Sequence, residues 1–78
     1  MLILYIKDNC LYSKRALKAV DESGVAVEVR NRADPAVAKE LYDRQGTYEV
    51  PYLVDTDAGV DVDESEAIVT YLQGILKK

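Results

Sequence analysis

The chain opens on five apolar residues in succession, Leu2-Ile3-Leu4-Tyr5-Ile6. The run is short and lacks the polar alternation of a half-exposed strand, so it predicts a strand covered on both faces. Lys7-Asp8-Asn9 breaks it. From Cys10 the pattern turns helical: Ser13, Ala16, Leu17 and Val20 share one face, while Lys14, Arg15, Lys18, Asp21 and Glu22 take the other. Gly24 stands where a helix C-terminal glycine belongs. The valine-rich segment Val25 to Arg30 predicts a second strand, and strand, helix and strand make a βαβ unit with parallel pairing.

Asp34-Pro35 reads as a cap followed by proline at the first helical position, opening a helix that carries Val37, Leu41 and Tyr42 and ends near Gly46. Val50 to Val54 predicts a third strand, Asp57-Ala58-Gly59 a turn, and Val60 and Val62 a fourth short strand. From Glu64 the period is helical again, with Ala67, Ile68, Tyr71, Leu72 and Ile75 as the apolar stripe. The order is βαβαββα, an α/β domain with three helices on a four-stranded mixed sheet. There is no internal repeat or low-complexity segment, and residues 1–78 read as a single domain.

Charge narrows the range of partners. Residues 1–50 carry eight Lys/Arg and eight Asp/Glu; residues 51–78 carry two lysines and six acids, all six between Asp55 and Glu66, for a net charge of −4. An acidic chain without a basic patch is a poor nucleic-acid ligand, and the acidic stretch reads first as a solvated turn. No leader and no membrane-length apolar stretch is seen. With one unpaired cysteine, these features give the expectation of a reducing, cytoplasmic setting and of a monomer. The absence of histidine argues against a zinc site, and no metal is expected.

Cys10 is the residue with chemistry to offer. It stands between the buried strand and the first turn of a helix, where unpaired amides and the positive end of the helix dipole favour a thiolate. Lys7, Lys14 and Arg15 lie close in sequence. Free cysteine is also among the most buried residue types, so position alone leaves a packing role open.

Three spaced segments carry a resemblance. Lys7-Asp8-Asn9-Cys10-Leu11-Tyr12-Ser13 resembles the glutaredoxin active site, commonly a lysine, two residues, then Cys-Pro-Tyr-Cys. Glu49-Val50-Pro51 resembles that family's Thr-Val-Pro. Asp63 to Leu72 is similar to the Glu-Ser-x-Ala-Ile-x-x-Tyr-Leu pattern of glutathione S-transferase N-terminal domains, which share the fold. The resemblance implies a thioredoxin fold and glutathione, or a similar small thiol, as co-substrate.

It also implies a site. Cys10 would be the nucleophile. Ser13 stands where the family has its second cysteine and Leu11 where it has proline, so no internal disulfide can close and a monothiol route remains. Ser13 either hydrogen-bonds the thiolate or is ordinary first-turn polarity. Pro51 taken alone marks a strand start with a trans bond; the resemblance implies a cis bond that exposes the Val50 backbone to the cysteinyl part of glutathione. Glu64 and Ser65 would hold the γ-glutamyl end at a helix N-terminus. Tyr12 would line the groove and Lys7 would attract the glycyl carboxylate. Tyr48 stands where arginine or threonine is frequent in glutaredoxins.

The function expected first is thiol–disulfide exchange on glutathione mixed disulfides, with glutathionylated proteins or small disulfides as partners. A transferase-like N-terminal module that binds glutathione with little turnover comes second. An iron–sulfur carrier comes third, because Leu11-Tyr12 departs from the Cys-Gly-Phe-Ser of such proteins.

Overall fold

In the computed structural model, which describes residues 1–76, Leu2–Ile6 forms strand β1, with all five residues buried. The apolar run does not alternate because both faces are covered. Leu2, Leu4 and Ile6 pack with Ala16, Leu53, Ile68 and Leu72 on one side. Ile3 and Tyr5 pack with Leu41, Tyr52 and Val54 on the other.

The remaining elements are α1 (Leu11–Ser23), β2 (Val27–Asn31), α2 (Pro35–Gln45), β3 (Tyr52–Asp55), β4 (Val60–Val62) and α3 (Ser65–Leu76). The sheet order is β2-β1-β3-β4, with β2 parallel to β1, and β3 and β4 antiparallel. The expected mixed four-stranded α/β sheet with three helices is present in the expected order. Both sequence-marked helix stops hold: Gly24 and Gly46 take left-handed conformations at φ 68° and 77°. Asp34 caps α2 by accepting from the Ala36 amide at 2.9 Å. Among the described residues, no helix is long and apolar enough to cross a membrane.

Three expectations shift. Strand β2 begins at Val27 rather than Val25, because Ser23 ends α1 by donating to the Val20 carbonyl and accepting from the Val25 amide, which holds the chain in a turn. Strand β3 begins at Tyr52 rather than Val50, since Pro51 has no amide to give to a ladder. Ala67 is exposed and lies outside the stripe formed by Ile68, Tyr71, Leu72 and Ile75; each residue turns the helix by about 100°, which carries position 67 past the packed edge.

Polar contacts tie the layers. The Tyr71 hydroxyl donates to Asp55 Oδ2 at 2.6 Å, and the Asp57 and Ala58 amides donate to Asp55 Oδ1 at 3.1 and 3.2 Å. One carboxylate therefore organises the β3–β4 turn and fastens α3 to it, and these donors hold its pKa below the usual range. Across the sheet, Glu40 of α2 accepts from the Tyr5 hydroxyl and the Arg30 guanidinium. Tyr52 donates to Asp61 Oδ2 at 2.6 Å, and burial together with that carboxylate pushes its pKa up to about 12.

Ile68 is fully buried where α3 meets β1 and α1. Ile68→Ala is expected to cost about 2–5 kcal/mol in urea unfolding, a large share of what a domain this small can hold. A loss under 1 kcal/mol would mean that the α1–α3 face is not the principal core.

Candidate functional site

The site begins where β1 runs out of sheet. Lys7, Asp8 and Asn9 are exposed, and Asn9 takes a left-handed backbone at φ 54°, one that asparagine tolerates better than most residues. This turn delivers Cys10 to the N-cap of α1 with an extended backbone, φ −106° and ψ 120°. Its carbonyl accepts the first helical bond from the Lys14 amide at 2.9 Å. Asn31, the last residue of β2, donates to Asp8 Oδ1 at 3.0 Å and ties down the same loop.

Cys10 is 8% exposed, buried but within reach of solvent, and Ser13 behind it is wholly buried. The Ser13 hydroxyl accepts from the Lys7 amide at 3.3 Å, so its proton can turn towards Cys10. The thiol pKa lies below its ordinary value. Hydrogen bonding from the Ser13 side chain is the largest cause; burial opposes it, and the Ser13 and Tyr12 amides and the Lys7 charge lower it further. Cys10 makes no side-chain capping bond. Ser13 is buried, and its hydroxyl is among the groups that lower the thiol pKa.

The second part of the site is a groove of about 320 Å³ between the start of α1, the entry to β3 and the start of α3. It is lined by Tyr12, Val50, Pro51, Asp63, Glu64, Ser65 and Glu66. Five of the eight residues singled out from sequence therefore line one hollow. Cys10 and Ser13 are not part of its lining; they flank Tyr12, which is, in the first turn of α1. Lys7 is not part of its wall; it acts on Cys10 through charge from the exposed loop. Asp63 and Glu66 were not foreseen as groove residues, although their place on either side of Glu64-Ser65 was the available signal.

The Val50–Pro51 bond is cis. Among the described residues, no backbone–backbone hydrogen bond outside the helices and strands involves residues 47–51. The edge at Val50 is thus free to pair with a ligand. Glu64 gives α3 its first carbonyl, accepting from the Ile68 amide at 2.8 Å, while Ser65 is buried in the first turn. Arg15 of α1 pairs with Glu66, joining the two helix starts that frame the groove.

Three larger hollows exist elsewhere among the described residues: about 400 Å³ between α1 and α3, about 390 Å³ beside Gln45, Glu49 and Asp63, and about 520 Å³ beside Arg44, Tyr52 and Val60. None is lined by any of the eight residues singled out from sequence, whereas five of them line the groove, so position and chemistry outweigh volume here. Among the described residues, no group of three or more His, Cys, Asp or Glu side chains is arranged to hold a metal ion.

Comparison with known proteins places these features in a family context. The family model described as "Glutathione S-transferase, N-terminal domain" matches residues 4–75. No curated protein matches the chain. Among solved structures, the chain is similar to human glutathione transferase theta-2 in complex with glutathione and an unknown ligand: TM-score 0.81, 22% identity, all of this chain and 32% of that one. It is also similar to an unclassified glutathione S-transferase from Bombyx mori: TM-score 0.79, 24% identity, 94% of this chain and 34% of that one. A glutathione transferase homologue from Sulfitobacter with bound glutathione has a TM-score of 0.78 at 22% identity, over 99% and 38% of the two chains. The chain spans about a third of the length of such relatives.

The lowered thiol pKa has a direct readout. The rate of Cys10 alkylation should rise with pH through a midpoint below that of a free cysteine, about 8.5, because only the thiolate reacts. Ser13→Ala should move the midpoint upward, since it removes the largest lowering cause. A midpoint at or above the free value, or one indifferent to Ser13→Ala, would contradict this electrostatic account.

Proposed function

The chain belongs to the glutathione S-transferase N-terminal domain family, and we propose that it binds glutathione and uses Cys10 to exchange thiol and disulfide with glutathione mixed disulfides. The observation that carries this reading is a groove whose Val50 edge has no backbone partner and whose Tyr12 wall shares the first turn of α1 with Cys10, a thiol of lowered pKa. Residues 1–78 are taken as one such domain. Two of the similar solved structures hold bound glutathione, which supports the same ligand here.

The proposed seating follows the groove. The cysteinyl part of glutathione pairs its backbone with Val50 beside cis-Pro51, under the Tyr12 ring. The γ-glutamyl carboxylate meets the first amides and hydroxyl of α3 at Ser65, and its ammonium meets the Glu64 carboxylate. The glycyl carboxylate points towards Lys7. A hollow of about 320 Å³ is at the small end of small-molecule sites, a fit for a tripeptide rather than a large conjugate.

The chemistry then takes two exchanges. The Cys10 thiolate attacks the glutathionyl sulfur of a mixed disulfide; the old S–S bond breaks, Cys10 carries glutathione, and the substrate leaves as a thiolate that takes up a proton. A second glutathione thiolate attacks that sulfur, restoring Cys10 and leaving as glutathione disulfide. The substrate sulfur leaves with the electron pair of the broken S–S bond, the incoming glutathione thiolate supplies the pair for the new one, and the number of disulfides is unchanged. Cys10 is the only cysteine, so Ser13 cannot resolve the intermediate; its part is to hold the anion.

A second reading is favoured by the family itself: a transferase-type module that binds glutathione and turns over little. Kinetics separate the two. With a glutathionylated peptide as substrate, Cys10→Ser should abolish turnover. Glu64→Gln and Ser65→Ala should raise KM about threefold to tenfold and change kcat less, because they act at the γ-glutamyl end. Turnover absent in the parent with glutathione still bound would support the module. Full activity in Cys10→Ser would defeat the exchange reading.

A further inference from the structure

The segment Gly46 to Pro51 between α2 and β3 must present the Val50 edge in a fixed place, yet it has little backbone structure of its own. Among the described residues, its amides and carbonyls from 47 to 51 make no backbone–backbone hydrogen bond outside the elements. The internal tie it does have, from the Glu49 amide to Thr47 Oγ1, is long at 3.4 Å. Two side chains from separate elements supply what the backbone lacks. Arg32, the first residue past β2, donates from Nη1 to the Tyr48 carbonyl at 2.5 Å. Gln45, the last residue of α2, donates from Nε2 to the Glu49 carbonyl at 2.6 Å. The two acceptors are consecutive and lead straight into Val50.

We infer that Arg32 and Gln45 are positioning residues for the ligand-binding edge: together they clamp the Tyr48 and Glu49 carbonyls and thereby set the orientation of the Val50 backbone in the groove. The inference rests on the reading that Val50 pairs with glutathione. Arg32 is suited to the task because its own amide is fixed to the Ile6 carbonyl at 2.8 Å, so the clamp is anchored to the sheet beside the loop that carries Cys10. The Tyr42 and Tyr48 rings, 5.0 Å apart, hold the outer side of the same loop. Neither clamp residue lines the groove, so both act through the loop.

The test compares the parent with Arg32→Met, Gln45→Ala, the double variant and Arg32→Lys. Binding of S-methylglutathione is followed by calorimetry, and the order of the Tyr48 to Val50 backbone is followed by nitrogen relaxation in NMR. Each single loss should weaken binding about threefold to tenfold, in proportion to one hydrogen bond, with lower backbone order at those residues. The thermal midpoint should stay within a few degrees of the parent's, and Arg32→Lys, which keeps a donor, should recover part of the affinity. Unchanged affinity and unchanged order in the double variant would overturn the clamp. A parent that fails to bind would defeat the proposed function instead; the backbone order then decides the clamp by itself, with a fall supporting it and no change overturning it.

Discussion

Everything in this domain depends on β1 being buried on both faces at the centre of the sheet. Its five apolar residues serve two cores at once, one shared with α1 and α3 and the other with α2. In so small a chain there is no second layer to take over that role. The consequence for function is positional. A central strand has to leave the sheet at a defined point, and here it leaves at Lys7, turns at Asn9 and reaches the first turn of α1 at Cys10. The thiol is therefore held by the most buried element of the fold, through a loop of three residues.

The site is assembled from ends rather than from faces. The start of α1 supplies amides, the buried hydroxyl of Ser13 and the thiol; the entry to β3 supplies an unpaired backbone edge; the start of α3 supplies a second set of helix-end amides with an acidic rim. Ends carry the unsatisfied hydrogen-bonding groups of any fold, which is why three of them converging make a polar groove in a chain otherwise committed to packing. The electrostatics divide accordingly. Lys7 and the α1 amides favour a sulfur anion, whereas Asp63, Glu64 and Glu66 surround the opposite end with negative charge, part of it met by Arg15. A zwitterionic peptide thiol suits such a division.

The fold was legible because its signals are local and agree with one another. The unbroken run of β1, the Asp34-Pro35 cap, the two C-terminal glycines and the stripe of α3 each followed from period or capping chemistry. Boundaries were less legible where side chains act on the backbone, as Ser23 does in delaying β2, or where a residue sits at the rim of a stripe, as Ala67 does. At the site, Tyr12, Val50, Pro51, Glu64 and Ser65 were brought together as the resemblance implied, and the transferase family proved the better match over the chain as a whole. The cis bond could not be had from the residues alone, since trans is the ordinary state of an X-Pro bond. Arg32 and Gln45 were illegible for a different reason: they act on carbonyls far away in sequence, and no spacing rule points from an arginine after a strand to a loop that follows the next helix.

The most direct test of the central claim is the structure of the protein after reaction with glutathione disulfide. The account predicts a Cys10–glutathione mixed disulfide whose cysteinyl backbone pairs with the N–H and C=O of Val50 and whose γ-glutamyl carboxylate rests on the first turn of α3 at Ser65. An adduct extending into solvent away from Val50 and Ser65, or a Cys10 that forms no adduct while the fold is intact, would contradict it.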